Sequence, residues 1–142
     1  MSDQWQILLP PQIDPAGPES ITDFAECTGM DAYDSVDAAL DEIAEYDAVV
    51  VRVAELDREV IERAANLKVI AKHGSGLDNV DIAAASEHDI VVCNTPGVNA
   101  RSVAEHAIAL QFGVRRNLGA ADRHVRDGGW DRSAFVGYEL QD

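Results

Sequence analysis

Short apolar runs alternate along this chain with stretches in which apolar residues recur every three or four positions, and each run predicts one element. Gln6–Leu9 reads as a buried strand, stopped by Pro10 and Pro11. Glu19–Cys27 reads as a helix, followed by a weak strand near Thr28–Asp31. Ser35 is placed to cap a helix carrying Ala38, Ala39, Ile43 and Ala44 at helical spacing. Ala48–Val51 is apolar throughout and β-branched, the mark of a strand covered on both faces. Asp57 is placed to cap a second helix, with Val60, Ile61, Ala64 and Ala65 on one side.

Lys68–Lys72 then reads as a strand, His73–Asp78 as a Gly-Ser-Gly loop, Val80–Glu87 as a short helix and Ile90–Cys93 as a strand. Ser102 and Glu105 have the spacing of a capping box, opening an apolar helix that runs to about Leu118 before Gly119. Asp127–Trp130 reads as a turn, and Arg132–Leu140 as an irregular segment with exposed aromatics. Strands that each lead into a helix imply an α/β fold: a flavodoxin-like parallel sheet with helices on both faces and right-handed crossovers. Such sheets bind ligands beyond the carboxyl ends of their strands. That singles out Pro10–Asp14, Arg52–Leu56, His73–Asp78 and Asn94–Asn99.

Composition narrows the function. The 142 residues carry a formal charge of -15, which argues against nucleic acid or an anionic membrane as partner. The acid is uneven: residues 1–67 hold 16 acids and three bases, residues 68–142 hold 10 acids and eight bases. Only Lys68 and Lys72 are lysines against nine arginines, a balance that suits a halophile's cytoplasm. No apolar run approaches the roughly 20 residues that span a bilayer. Cys27 and Cys93 lack metal-ligand spacing and suit a reducing compartment, with Cys93 expected as a core thiol. No metal site is expected.

The candidate chemistry lies in the loops. Gly74 and Gly76 precede a helix, but the dinucleotide pattern Gly-x-Gly-x-x-Gly breaks at Asn79, and Asn94 stands where a ribose would need an acid. What remains is a loop whose backbone can approach an anion closely, or a plain tight turn. Arg52 ends an apolar strand, as an anion clamp or in a surface ion pair with Glu55 or Asp57. Lys72 ends the neighbouring strand and reaches the same edge. His73 stands beside the loop as a possible substrate contact, while His88, His106 and His124 form no catalytic or metal arrangement. Arg115, Arg116, Arg123 and Arg126 are expected to pair with acidic surface or a partner subunit. A response-regulator receiver is excluded, because Pro10-Pro11, Arg52 and Asn94 occupy the positions of its acids, its phosphorylated Asp and its Lys.

Three blocks in order, Gly74–Asp81, Asn94–Gly97 and Asn99–His106, followed by Asp127–Arg132 and Phe135–Leu140, resemble the D-isomer-specific 2-hydroxyacid dehydrogenases, and within them the phosphoglycerate dehydrogenases. The resemblance covers essentially the whole chain. It implies that the backbone N–H groups of Gly74, Ser75, Gly76 and Leu77 hold a substrate carboxylate, with Ser75 also beside the NAD pyrophosphate. Arg52, Lys72 and Arg132 match cations around the substrate, a small anionic 2-hydroxy or 2-oxo acid. Lys72 replaces a common Arg, and Val53 a small polar residue. Asn99 and Ser102 would form the hinge between a substrate domain (1–98) and the lead-in to an NAD-binding domain (99–142), with the 102–118 helix at a homodimer interface.

The family's Gly-rich NAD motif and its catalytic Arg, Glu and His match nothing in these 142 residues. The expectation is therefore the N-terminal, substrate-binding portion of such an enzyme, inactive alone. The alternatives are a free-standing module that binds small anionic acids and a dimerising interaction fragment.

Overall fold

The computed structural model describes residues 4–141 and divides into two compact units, Met1–Gly97 and Val98–Asp142. The first is a five-stranded sheet. Its elements in order are β1 (Trp5–Leu9), α1 (Ala16–Glu19), β2 (Ala25–Gly29), α2 (Val36–Asp41), β3 (Ala48–Val51), α3 (Arg58–Arg63), β4 (Val69–Lys72), α4 (Ile82–Glu87) and β5 (Val91–Asn94). Every pairing is parallel and the spatial order is β2-β1-β3-β4-β5, so the α/β, doubly wound architecture expected from the alternation is the one found. The order reverses between β1 and β3.

The period of two along each strand divides its side chains between the two faces. Leu8, Val49, Val51 and Ile70, all fully buried, join the larger cluster with residues of α2, α3 and α4. Ile7, Leu9, Ala25 and Ala48 form a smaller cluster on the other face, closed by Ile13 and Ile21. Truncating a fully buried residue such as Ile70 to Ala costs about 2–5 kcal/mol in comparable cores. Three helices begin as their cap residues require. Ala38 N–H donates to Ser35 Oγ at 3.0 Å, Val60 N–H to Asp57 Oδ1 at 2.9 Å, and Ala84 N–H to Asp81 Oδ1 at 2.8 Å. Each cap contributes about 1 kcal/mol.

Four expectations need correction. The segment read as helix Glu19–Cys27 ends its helix at Glu19, and Ala25–Gly29 is β2; the pairing of Trp5–Leu9 with Ala25–Gly29 outweighs local helical spacing. Cys93 is exposed. It lies on edge strand β5, where alternation turns Val92 toward the larger cluster and leaves Val91 and Cys93 on the open side. Ala65 is exposed because α3 stops at Arg63. Ser102 is not a cap: α5 (Ala100–Arg115) has already begun, and Asn99 precedes it without a side-chain cap bond.

The second unit also departs at its middle. Asn117 takes the left-handed conformation (φ 53°), ends α5 and starts α6 (Leu118–Arg126), so Gly119 lies inside a helix instead of closing one. Asparagine tolerates that conformation, which makes it an alternative to glycine as a helix stop. The tail returns along this corner: Tyr138 N–H donates to Arg115 O at 3.0 Å and Asn117 Nδ2 to Val136 O at 3.3 Å. No residue of α5 or α6 is buried.

Candidate functional site

Val51, Lys72 and Asn94 stand in register across the carboxyl ends of β3, β4 and β5, and all four loops singled out by the sequence follow carboxyl ends of strands. At the reversal between β1 and β3, Pro10, Pro11 and Gln12 face Arg52, Val53 and Ala54 across a cavity of about 480 Å³, floored by Met30 and Val36. Of its lining residues only Gln12 and Arg52 have polar side chains. A crevice at the point where strand order reverses is where open α/β sheets place their ligands.

Arg52 and Lys72 are brought together, though not as two parallel clamps. Lys72 Nζ donates to the Arg52 carbonyl oxygen at 2.6 Å and to Asn79 Oδ1. Asn79 Nδ2 in turn donates to Ala54 O at 2.5 Å. Arg52 itself makes no ion pair among the described residues, so the alternative pairing with Glu55 or Asp57 is not formed.

The Gly74–Leu77 loop is pinned to the loop after β5. Gly74 N–H donates to Thr95 Oγ1 at 3.1 Å, Thr95 N–H to Gly74 O at 3.0 Å, and Asn94 Nδ2 to Ser75 O at 2.8 Å. Ser75 Oγ donates to Thr95 O and accepts from Gly97 N–H, both at 3.3 Å. The N–H groups of Ser75, Gly76 and Leu77 have no acceptor among the described residues, whereas that of Gly74 does. Three successive unpaired amides suit a carboxylate or phosphate. Asp78 lies against this loop: a Cβ on Gly76 would come within 2.7 Å of its Oδ1.

The charge distribution agrees with an anion at this edge. Of the five Lys and Arg residues in the first unit, Arg58 pairs with Glu87, Glu62 and Asp81, Arg63 with Asp41 and Glu59, and Lys68 with Asp47. Arg52 and Lys72, both at the carboxyl edge, pair with no carboxylate among the described residues. Within the first unit these two stand apart from the other three cations.

The remaining candidates lie elsewhere or in the other unit. His73 is exposed and its N–H donates to Val51 O at 2.8 Å. Asn99 and Ser102 lie at the start of the second unit and Arg132 is exposed before the turn Ser133–Phe135. Arg126 pairs with Asp122 at 2.9 Å, and Arg115 donates to Glu139 O. Sequence reasoning missed the roles of Asn79 and Thr95, which were noted only as motif letters. Their signal was a polar side chain one loop away from a polar strand end, a pattern too common to single out. Among the described residues no group of His, Cys, Asp and Glu is arranged to hold a metal ion, and no helix is long and apolar enough to cross a membrane.

The family model for the D-isomer specific 2-hydroxyacid dehydrogenase catalytic domain matches residues 7–139. This chain belongs to that family. Among its relatives, D-3-phosphoglycerate dehydrogenase of Archaeoglobus fulgidus is 47% identical over 115 residues, which is 80% of this chain and 21% of that protein. Hydroxypyruvate reductase of Thermotoga maritima is 43% identical over 99 residues, 69% of this chain and 32% of that protein. The NAD⁺-bound 3-phosphoglycerate dehydrogenase structure from Entamoeba histolytica superposes with a TM-score of 0.74 at 28% identity, covering 98% of this chain and 44% of that one. The chain thus spans between a fifth and a half of the length of these family members.

Proposed function

We propose that this chain is the substrate-binding portion of an NAD-dependent dehydrogenase that oxidises the CH–OH group of a small 2-hydroxy acid, with 3-phosphoglycerate, the acid that feeds serine biosynthesis, as the substrate. The observation that carries this reading is the run of three unpaired amides, Ser75 to Leu77, on the same sheet edge as Arg52 and Lys72, two cations that pair with no carboxylate. The amides hold the carboxylate next to the reacting carbon. Arg52 takes the phosphate at the other end of the acid, with a planar fork suited to two phosphate oxygens. Lys72 adds charge to that edge, and Arg132 is assigned as a third substrate cation on its place in the family motif.

NAD would accept the hydride. The residues present do not fit a dinucleotide: Gly-x-Gly-x-x-Gly occurs nowhere in the 142 residues, and the Ser75 hydroxyl already bonds Thr95 O and Gly97 N–H. The catalytic Arg, Glu and His are assigned to no residue here, so the 142-residue chain is inactive alone and binds NAD weakly. Asn99 and Ser102 are assigned to the hinge, with residues 1–98 as the substrate domain.

Calorimetry of the chain at molar salt tests this reading. 3-Phosphoglycerate is expected to bind more tightly than D-glycerate, and Arg52→Gln to weaken 3-phosphoglycerate about tenfold, the loss of a hydrogen bond between charged groups. Equal affinity for both acids, unchanged in Arg52→Gln, would contradict the assignment. NADH production by the chain alone would contradict its inactivity. Tight binding of simple 2-hydroxy acids with no preference for phosphate would favour the second reading, a free-standing module for small anionic acids.

A further inference from the structure

Every second residue of the loop from Arg52 to Leu56 is tied to the last residue of β4 or to the loop after it. The Arg52 carbonyl accepts from Lys72 Nζ at 2.6 Å, and the Ala54 carbonyl from Asn79 Nδ2 at 2.5 Å. Leu56 N–H donates to Asn79 O at 2.9 Å, and Asp81 N–H to Leu56 O at 2.9 Å, closing a parallel bridge between Leu56 and Val80. Lys72 and Asn79 also bond each other. Between these ties Val53 is 88% exposed and Glu55 is exposed. Two of the three N–H donors of the Lys72 ammonium therefore end on neutral oxygens inside the scaffold. An ammonium placed to meet a substrate anion would keep those donors for it. This one joins the ends of two neighbouring strands.

We propose that Lys72 and Asn79 are positioning residues that act on the substrate through Arg52: they hold the backbone from Arg52 to Leu56, and so fix the place of Arg52 on the wall of the cavity at the β1–β3 reversal, while Lys72 makes no substrate contact of its own. The proposal rests on the reading that Arg52 holds the charged tail of the acid. It changes the accounting of that tail, since the first unit then supplies one cation to it instead of two. Lys72 stays in place because its Nζ has two acceptors within reach, and Asn79 because its amide both accepts from Lys72 and donates to Ala54.

The test compares Lys72→Met, Asn79→Ala and Lys72→Arg in the 142-residue chain by two measurements. Without ligand, ¹⁵N–¹H spectra are expected to show the amides of Val53, Ala54 and Glu55 moving in Lys72→Met and Asn79→Ala alike. Lys72→Arg, which keeps donors for both oxygens, is expected to leave them near their original positions. Unmoved amides in Lys72→Met, or in Asn79→Ala should Lys72→Met not fold, overturn the proposal whatever the ligand does.

Calorimetry then separates positioning from contact. Lys72→Met and Asn79→Ala are each expected to weaken 3-phosphoglycerate about tenfold and to leave D-glycerate unchanged, with Lys72→Arg restoring affinity. Added to Arg52→Gln, neither substitution should cost anything more, because both act through the side chain already removed. A further tenfold loss in the Arg52→Gln, Lys72→Met pair would show Lys72 touching the substrate and overturn the proposal. If the unsubstituted chain binds neither acid, the reading of function fails, and the ligand-free spectra still decide whether Lys72 and Asn79 hold the loop.

Discussion

The Gly74 amide donates to the Thr95 hydroxyl at 3.1 Å and to the Lys72 carbonyl at 3.0 Å, and these bonds separate Gly74 from the three residues that follow it. The bond to Thr95 fixes the turn after β4 on the loop after β5, while the amides of Ser75, Gly76 and Leu77 stay unpaired among the described residues. The two glycines of the loop therefore have different reasons to be glycine, and the difference can be measured.

Gly74 has a φ of +150°, which L side chains rarely adopt. Gly74→Ala is expected to cost about 1–3 kcal/mol, read as a fall in the urea midpoint. Gly76 carries no such φ, and its added methyl would meet only the end of the Asp78 side chain. Gly76→Ala should keep stability within about 0.5 kcal/mol, as substitutions away from packed features do. It should nonetheless weaken D-glycerate, because the methyl stands beside the unpaired amides. Stability and binding falling together in Gly76→Ala would contradict this division.

At the opposite edge of the sheet Asp47 ties three strands. Its carboxylate accepts from Lys68 Nζ at 2.6 Å and from Gln6 N–H at 2.9 Å, and Lys68 lies 5.0 Å over the Trp5 ring. The Lys68 hydrogen bond, then that of Gln6, hold the Asp47 carboxyl below its ordinary range. A group depressed on folding contributes stability that is complete above the unfolded value of about 3.9 and lost as pH falls through the folded one. Asp47→Asn is expected to flatten that part of the acid limb in urea melts between pH 5 and 2. It should cost about 1–3 kcal/mol at pH 7, since the bonds to a charged acceptor are lost.

Tyr46 behaves in the opposite sense. It is buried, its hydroxyl lies 2.5 Å from that of Tyr33, and burial, with this hydrogen bond second, pushes its pKa up to about 12. A group raised on folding gives stability that is complete below the unfolded value of about 10 and lost as pH rises through the folded one. Between pH 10 and 12 the chain is expected to lose stability, and Tyr46→Phe to remove that loss. Ultraviolet titration at the tyrosinate band should show a phenol ionising at about pH 12 that Tyr46→Phe removes.

The helices α5 and α6 leave Val103, Ile108, Leu110, Phe112 and Val114 exposed, with no buried residue in either helix. Val103, Leu110 and Val114 lie on one side of α5 and Ile108 and Phe112 on the opposite one, and the reading as a dimerising fragment predicts that a second copy covers part of this surface. Sedimentation is expected to show self-association that weakens in Leu110→Glu and Phe112→Glu, with the sheet's circular dichroism unchanged. A monomer across the micromolar range would contradict it.

How far the sequence carried differs by element. The strand Ala48–Val51 was legible because burial is written into three of its four positions, and Val69–Lys72 from the short apolar run around the buried Ile70. β2 was not, because Glu26 and Thr28 interrupt the apolar run and its strand state depends on pairing with β1. Arg52, Lys72 and the Gly74–Leu77 loop were found from their place at strand ends. That Lys72 bonds the Arg52 carbonyl was not legible, since a lysine at a strand end looks the same whether it faces ligand or backbone. Asn117 escaped for a related reason: its left-handed turn follows from packing of the returning tail, and Gly119 offered a more familiar stop.

The central claim is that Ser75, Gly76 and Leu77 offer their amides to a substrate carboxylate. Titration of ¹⁵N-labelled chain with D-glycerate at molar salt tests it most directly. The predicted result is a saturable downfield movement of those three amides, with the Gly74 amide, held by Thr95, moving least. Saturable binding that shifts other residues and leaves these three in place would contradict it.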